Sequence, residues 1–147
     1  MIRTAEMRDA AEIHRLLKQT YEVHSELYPE YFTGERQAKY EIAEVAKLIA
    51  DEGKLVIVFD EGNQLAGYVI GWYEDAYFFI DDVCVDESRR GKGVGKRLFE
   101  VLEQRVNAKS IRLNVWIRNR SAMEFYEKIG FHPLKTVLEK QISKDVF

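Results

Sequence analysis

The chain predicts an α/β fold: a mixed, mostly antiparallel sheet with helices on both faces. Two observations carry that expectation. Residues 55–59 and 65–72 are apolar runs rich in β-branched side chains, and they flank the turn Glu61-Gly62-Asn63, as in an antiparallel hairpin. Residues 77–117 then read as apolar run, glycine-rich turn, amphipathic run and second apolar run, the order of a strand–helix–strand crossover. At 147 residues with 46% apolar content, the chain has the size and composition of one domain spanning residues 1–147.

Each element has its own signal. Residues 1–4 suit a short first strand. Asp9 and Glu12 read as a capping box before Ile13, Leu16, Leu17 and Tyr21, which share a helical face. Tyr28-Pro29 interrupts residues 22–33, so that stretch is expected to be a loop or a second short helix. Ala38, Ile42, Val45, Ala46 and Ile49 form another helical stripe, closed by Gly53. After the hairpin, Glu74-Asp75 is a turn and residues 77–85 the next strand. Val94, Leu98, Val101, Leu102 and Val106 give the inner side of a helix, and residues 111–117 a strand. Ser121 and Glu124 predict the cap of a last helix with Ala122, Phe125 and Ile129 inward and Gly130 at its end. Residues 131–142, interrupted by Pro133, suit a bent or edge strand.

The turn at the helix start carries the first chemical signal. Arg90-Gly91-Lys92-Gly93-Val94-Gly95 precedes Lys96 and Arg97. A glycine-rich turn opening a helix offers unpaired N–H groups, a positive helix end and room for a phosphate against the main chain. The phosphate-loop pattern of nucleotide triphosphatases needs glycine at position 90 and Ser or Thr at 97, where Arg90 and Arg97 stand. The dinucleotide fingerprint needs glycine at Lys96. The pattern Arg/Gln-x-x-Gly-x-Gly/Ala is met by Arg90, Gly93 and Gly95. Downstream, Asn119, Tyr126, Gly130 and Phe131 fall in the pattern Asn, helix, Tyr-x-x-x-Gly-Phe, one helix and one strand after the first motif.

Together these motifs resemble the GNAT superfamily of acetyl-CoA-dependent N-acetyltransferases, closely over residues 54–131 and loosely before them. The resemblance implies a splayed pair of parallel strands, with the pantetheine arm of acetyl-CoA in the split. It implies that Arg90, Gly91, Lys92, Gly93, Val94, Gly95 and Lys96 grip the pyrophosphate. Val83, Cys84 and Val85 would hold the pantetheine amides through their main chain, and Asn119 would reach the cofactor arm. Coenzyme A is thus expected as cosubstrate, with no metal. The implied reaction is direct transfer of acetyl to the primary amine of a small molecule or peptide. The alternatives left open are a non-catalytic acyl-CoA-binding module and, on weaker grounds, a nucleotide-binding regulator.

Transfer to an amine poses two proton problems. An alkylammonium with a pKa of roughly 10.4 must lose a proton, and the departing thiolate must gain one. Tyr126 is the candidate acid by resemblance; its competing role is a core tyrosine beside Phe125. For the base, strand alternation groups Asp81 with Val83 and Val85, and Asp82 with Ile80 and Cys84. Asp81 is taken as the candidate, against an ion pair with a neighbouring Lys or Arg; Asp82 or a water chain is the other route. Cys84 has no nearby histidine and reads as a small core residue, Asn119 equally as a helix cap, and His24 and His132 as unpartnered.

Composition narrows the partners. A formal charge of −3 argues against a nucleic-acid binder. One cysteine suits a reducing, cytoplasmic setting, and no signal-peptide pattern or membrane-length apolar stretch is expected. A homodimer is compatible with the resemblance. Glu22, Glu26, Glu30, Glu35, Glu74, Asp75, Asp81 and Asp82 lie in segments rich in aromatics (Tyr21, Tyr28, Tyr31, Phe32, Trp72, Tyr73, Tyr77), so the acceptor is expected to arrive as a cation.

Overall fold

The computed structural model describes residues 1–32 and 36–143. Five strands form one sheet in chain order: β1 (Ile2–Thr4), β2 (Leu55–Asp60), β3 (Leu65–Tyr73), β4 (Phe78–Val85) and β5 (Ile111–Leu113). The first four pair antiparallel, and β4 pairs with β5 in parallel. Helices α1 (Ala10–Leu27) and α2 (Ile42–Ala50) cover one face, where Ile13, Leu16, Leu17 and Val45 pack on Val56, Val58, Tyr68 and Ile70. Helices α3 (Val94–Arg105) and α4 (Arg120–Lys128) lie on the other, over Ile57, Val69, Phe78 and Ile80. Alternation along the strands feeds both layers, so each face has its own core. No helix among the described residues is long and apolar enough to cross a membrane.

Several local expectations change. The capping box at the entry to α1 is Glu6 with Asp9, and the Glu6 N–H donates to Asp9 Oδ2 at 2.7 Å. Glu12 instead accepts from Arg15 and from the Leu65 N–H, tying α1 to β3. Helix α1 runs on to Leu27, past the loop expected from residue 22; proline constrains the residue before it, so the helix stops at Tyr28 (φ −134°, ψ 63°) rather than earlier. Ala38 is buried but lies outside α2. The cap of α4 is Asn119, whose Oδ1 accepts from the Ala122 N–H at 3.2 Å, in place of Ser121. Residues 131–143 form no strand among the described residues, and Leu134, Val137, Leu138 and Ile142 are exposed.

Two irregularities set up the site. Strand β5 pairs with β4 over only three positions, Phe78 with Ile111 through Ile80 with Leu113. Beyond them, Asp82 to Val85 pair with β3 on one side and, among the described residues, have no strand on the other. The second is a bulge: Ile70 faces Asp82 while Gly71 faces Ile80, so Asp81 is the extra residue of β4. Gly71 permits the close approach, because a Cβ there would lie 2.5 Å from the Phe79 carbonyl oxygen.

Candidate active site

The bulge decides where the two acids go. Ile80 packs with α3 on one face of the sheet, whereas Cys84 packs with α1 on the other. Simple alternation would put them on the same face; the extra residue reverses the phase. Asp81 consequently meets Lys39 and Tyr40, just before α2, and Asp82 meets Tyr68, on the α1 side. Both carboxylates therefore point to one face, contrary to the alternation expected from sequence. Gly71 in mid-strand was the sequence signal for this bulge.

Their surroundings differ. Lys39 Nζ donates to Asp81 Oδ1 at 3.1 Å and to the Asp81 carbonyl at 2.9 Å, and the Tyr40 hydroxyl donates to Oδ2. Asp81 is thus engaged in the ion pair that competed with its role as base. Asp82 accepts from the Tyr68 hydroxyl at 3.2 Å. Burial is the main cause that lifts its pKa from 3.8 to about 6; Lys39 opposes the rise and Asp81 adds to it.

Tyr126 approaches from the α4 side. Its ring sits among Phe99, Phe125 and Phe131, with centroids 5.5–6.0 Å away. No sealed polar side-chain atom lacks a partner among the described residues, and Tyr126 makes no side-chain hydrogen bond there, so its hydroxyl is not sealed from solvent. Burial, then the nearby Asp82 and Cys84, push its pKa upward, leaving a phenol that stays protonated. Asp82 and Tyr126 belong to opposite layers, yet Asp82 lies near enough to contribute to the raised Tyr126 pKa. Cys84 is 5% exposed, its Sγ donates to the Leu16 carbonyl, and burial raises the thiol to about 11. That thiol is no nucleophile at neutral pH.

The glycine-rich turn fits an anionic group. Gly91 and Gly93 have φ of 78° and 81°, and a Cβ at either would meet open space, so their freedom serves the backbone conformation. Gly95 differs: a Cβ there would lie 2.8 Å from the Phe125 ring, so this glycine lets α3 and α4 pack. No side chain caps α3 and no acid occupies its first turn, unlike α2 with Glu41 and Glu44 or α4 with Asn119. Among the described residues no carboxylate pairs with Arg90, Lys92 or Lys96. Unpaired N–H groups, a positive helix end and free cations are what a pyrophosphate needs. Buried Asp86 anchors the approach to this turn: it accepts from the Ser88 N–H and hydroxyl, Arg15 and Gln19.

The segment after β5 packs on the end of α1. Trp116 stacks with Tyr28, Tyr31, Phe32 and His24, joining residues 114–119 to the end of α1. Arg118 lies over Tyr28 and donates to Glu30 and the Leu27 carbonyl. His24 is partly buried in this cluster, which lowers its pKa and favours the neutral ring. The hairpin aromatics expected beside this cluster have their own partners: Lys54 covers Trp72, Arg112 covers Tyr77, and the Tyr73 hydroxyl accepts from the Asn107 N–H. Glu74 accepts from Trp72 Nε1. Glu35 lies outside the described residues. The sequence reading missed Lys39, Tyr40, Tyr68 and Trp116, which sit in segments without a motif.

Comparison with known proteins decides the family, since the Acetyltransferase (GNAT) family profile matches residues 12–131. The chain belongs to the GNAT family of acetyltransferases. An N-acetyltransferase of Bacillus subtilis (strain 168) named YycN, itself uncharacterized, is 34% identical over 67 residues, spanning 44% of this chain and 43% of the relative. The chain thus spans less than half the length of that curated relative. The crystal structure of a point mutant of the BH1408 protein from Bacillus halodurans superposes with a TM-score of 0.88 at 26% identity, covering 97% of this chain and 99% of that one. The fold is also shared with the aminoglycoside N-acetyltransferase AAC(6')-Iy in complex with CoA, at TM-score 0.72 and 12% identity over 97% of this chain and 99% of that one. These neighbours share the open mixed sheet with its helices.

Proposed function

We propose that this GNAT protein moves an acetyl group from acetyl-CoA to a primary amine by direct transfer, with Asp82 as base and Tyr126 as acid. The observation that carries the reading is that Asp82, on the stretch of β4 that β5 leaves unpaired, lies near enough to help raise the Tyr126 pKa, one a carboxylate raised to about 6, the other a phenol held protonated. Asp82 takes the proton that an acceptor ammonium gives up. The amine nitrogen then bonds to the acetyl carbon as the carbon–sulfur bond breaks; Tyr126 supplies a proton to the departing thiolate and regains one from the new amide nitrogen, which sheds its second proton. The base assignment passes from Asp81 to Asp82, because Asp81 is engaged by Lys39 and Tyr40.

The turn at residues 90–96 holds the pyrophosphate in this reading. The free edge of Val83, Cys84 and Val85 holds the pantetheine amides through main-chain groups, as their lack of a β5 partner allows. Asn119 spends Oδ1 on its helix cap and keeps its amide N–H groups for the cofactor arm. The test is release of CoA thiol from acetyl-CoA against polyamines, aminoglycosides, free amino acids, and peptides with N-terminal or lysine amines. Turnover with at least one amine is expected. CoA binding without turnover across the whole panel would leave a binding module instead.

A further inference from the structure

We propose that the Asp81 carboxylate, the Asp81 carbonyl and the Tyr40 ring form a receptor for the acceptor's ammonium group, and that Lys39 occupies it as a built-in competitor. This inference rests on the amine-acetylating reading above and adds to it where the ammonium docks and what must leave first.

The geometry is that of a cation site with a cation in it. Lys39 Nζ donates to the Asp81 carbonyl at 2.9 Å and to Oδ1 at 3.1 Å, and it lies 5.6 Å from the centre of the Tyr40 ring. An ammonium has three donors; two are spent here, and the aromatic face adds attraction without needing a donor. The Tyr40 hydroxyl occupies Oδ2, which holds the carboxylate in one orientation and leaves Oδ1 for the cation. The receptor is more sheltered than its occupant, with the Asp81 side chain 13% exposed and the Lys39 side chain 46% exposed. Lys39 can therefore swing into water by rotating its own side chain, with no backbone movement.

Position gives the contact a consequence. Because of the bulge, Asp81 faces the same side of the sheet as Asp82. An ammonium on Asp81 lies one residue from the proposed base, so binding there presents the amine for deprotonation. While Lys39 stays, an incoming amine must displace it. A partly exposed ion pair of this kind weakens the incoming amine's binding by at most about fivefold, so displacement by a good acceptor is feasible.

The experiment is an amide-resolved NMR titration of the full chain with n-butylammonium, using n-butanol as the neutral control. It compares the wild type with Lys39→Met, which keeps the side-chain stem and removes the charge, and with Asp81→Asn. The expected result is shifts at residues 39–41 and 80–83, binding about fivefold tighter in Lys39→Met, and none in Asp81→Asn. Lys39→Gln serves as a second variant should the first melt early. With an acetylated amine, Lys39→Met should lower the acceptor KM at pH 8 and leave the acetyl-CoA KM unchanged, while its kcat profile shifts to higher pH because Lys39 no longer opposes the rise in the Asp82 pKa. Equal or weaker ammonium binding in both Lys39 variants, or shifts elsewhere in the molecule, would overturn the proposal. The titration needs no turnover, so an absence of activity sinks the acetyltransfer reading while tighter binding in Lys39→Met still upholds the receptor.

Discussion

Asp82 lies near enough to Tyr126 to help raise its pKa, and single substitutions at these two residues test the duties proposed for them. Tyr126→Phe removes one oxygen from a ring packed on Phe99 and Phe131. Packing should survive and affinity for CoA should hold, while turnover falls by about 10²-fold, the lower end of general acid catalysis. Rates within about twofold of wild type across pH would remove Tyr126 from the acid role. Asp82 makes a prediction about pH. Its carboxyl ionises near 6 in the fold and near 3.8 in the unfolded chain. A raised acid stabilises the fold in its protonated form; that contribution is complete below pH 3.8 and is lost as pH rises through 6. Asp82→Asn should therefore raise the melting temperature at pH 8, by a stability gain on the order of 1–2 kcal/mol, and change it little at pH 4. The same variant should lose most activity at pH 8, and wild-type kcat/KM should drop as pH falls through about 6. Thermal melts and rate profiles over pH 4–9 check both halves.

At the scale of elements, the start of α3 shows two glycines of one motif doing different work. Gly93 has φ 81° and faces open space, whereas Gly95 sits against Phe125. Gly93→Val forces a β-branched residue into the left-handed region, at a cost of about 1–3 kcal/mol, and fills the approach to the N–H groups. Calorimetry on the folded variant should find CoA affinity lowered by at least about tenfold; unchanged affinity would move the pyrophosphate elsewhere. Gly95→Ala should instead spare CoA affinity per folded molecule and reduce stability by about 1–3 kcal/mol through overpacking. Adding Phe125→Leu should recover part of that loss, and chemical denaturation of the four variants of the cycle measures the coupling. Asp86 acts on the same element from behind, since its bonds to Ser88, Arg15 and Gln19 fix the turn to α1. Those partners hold its pKa at about 2, against the opposing effect of burial, so the anchor persists until strongly acid pH.

Over the whole molecule, the sheet separates charges of opposite sign. Arg90, Lys92 and Lys96 gather at the C-terminal end of β4, whereas Asp81 and Asp82 lie within the strand on the α1 side. The net charge of −3 hides this division. Raising ionic strength should weaken acetyl-CoA at the first group and a cationic acceptor at the second, because both are partly exposed attractions. A measurement of both KM values from about 10 mM to 500 mM salt checks this, Debye screening being about 30 Å at the low end and under 8 Å at the high end. A cationic acceptor whose KM does not rise with salt would argue against an acidic acceptor side.

The sequence alone determined whatever depends on neighbouring residues. Hairpin, crossover, the glycine turn and the helix ending in Gly130 were all legible, because period, turn chemistry and motif spacing are local. The extent of the parallel pair was not, since residues 111–117 look equally strand-like throughout and only three of them pair with β4. The facing of Asp81 and Asp82 was decided by one extra residue in a ladder between distant segments, a phase shift that alternation within β4 cannot reveal. Lys39 and Tyr40 entered the site for the same kind of reason: they lie some forty residues before Asp81 in the chain, with separations of 42 and 41, and only the closed tertiary structure brings charge to charge across that distance.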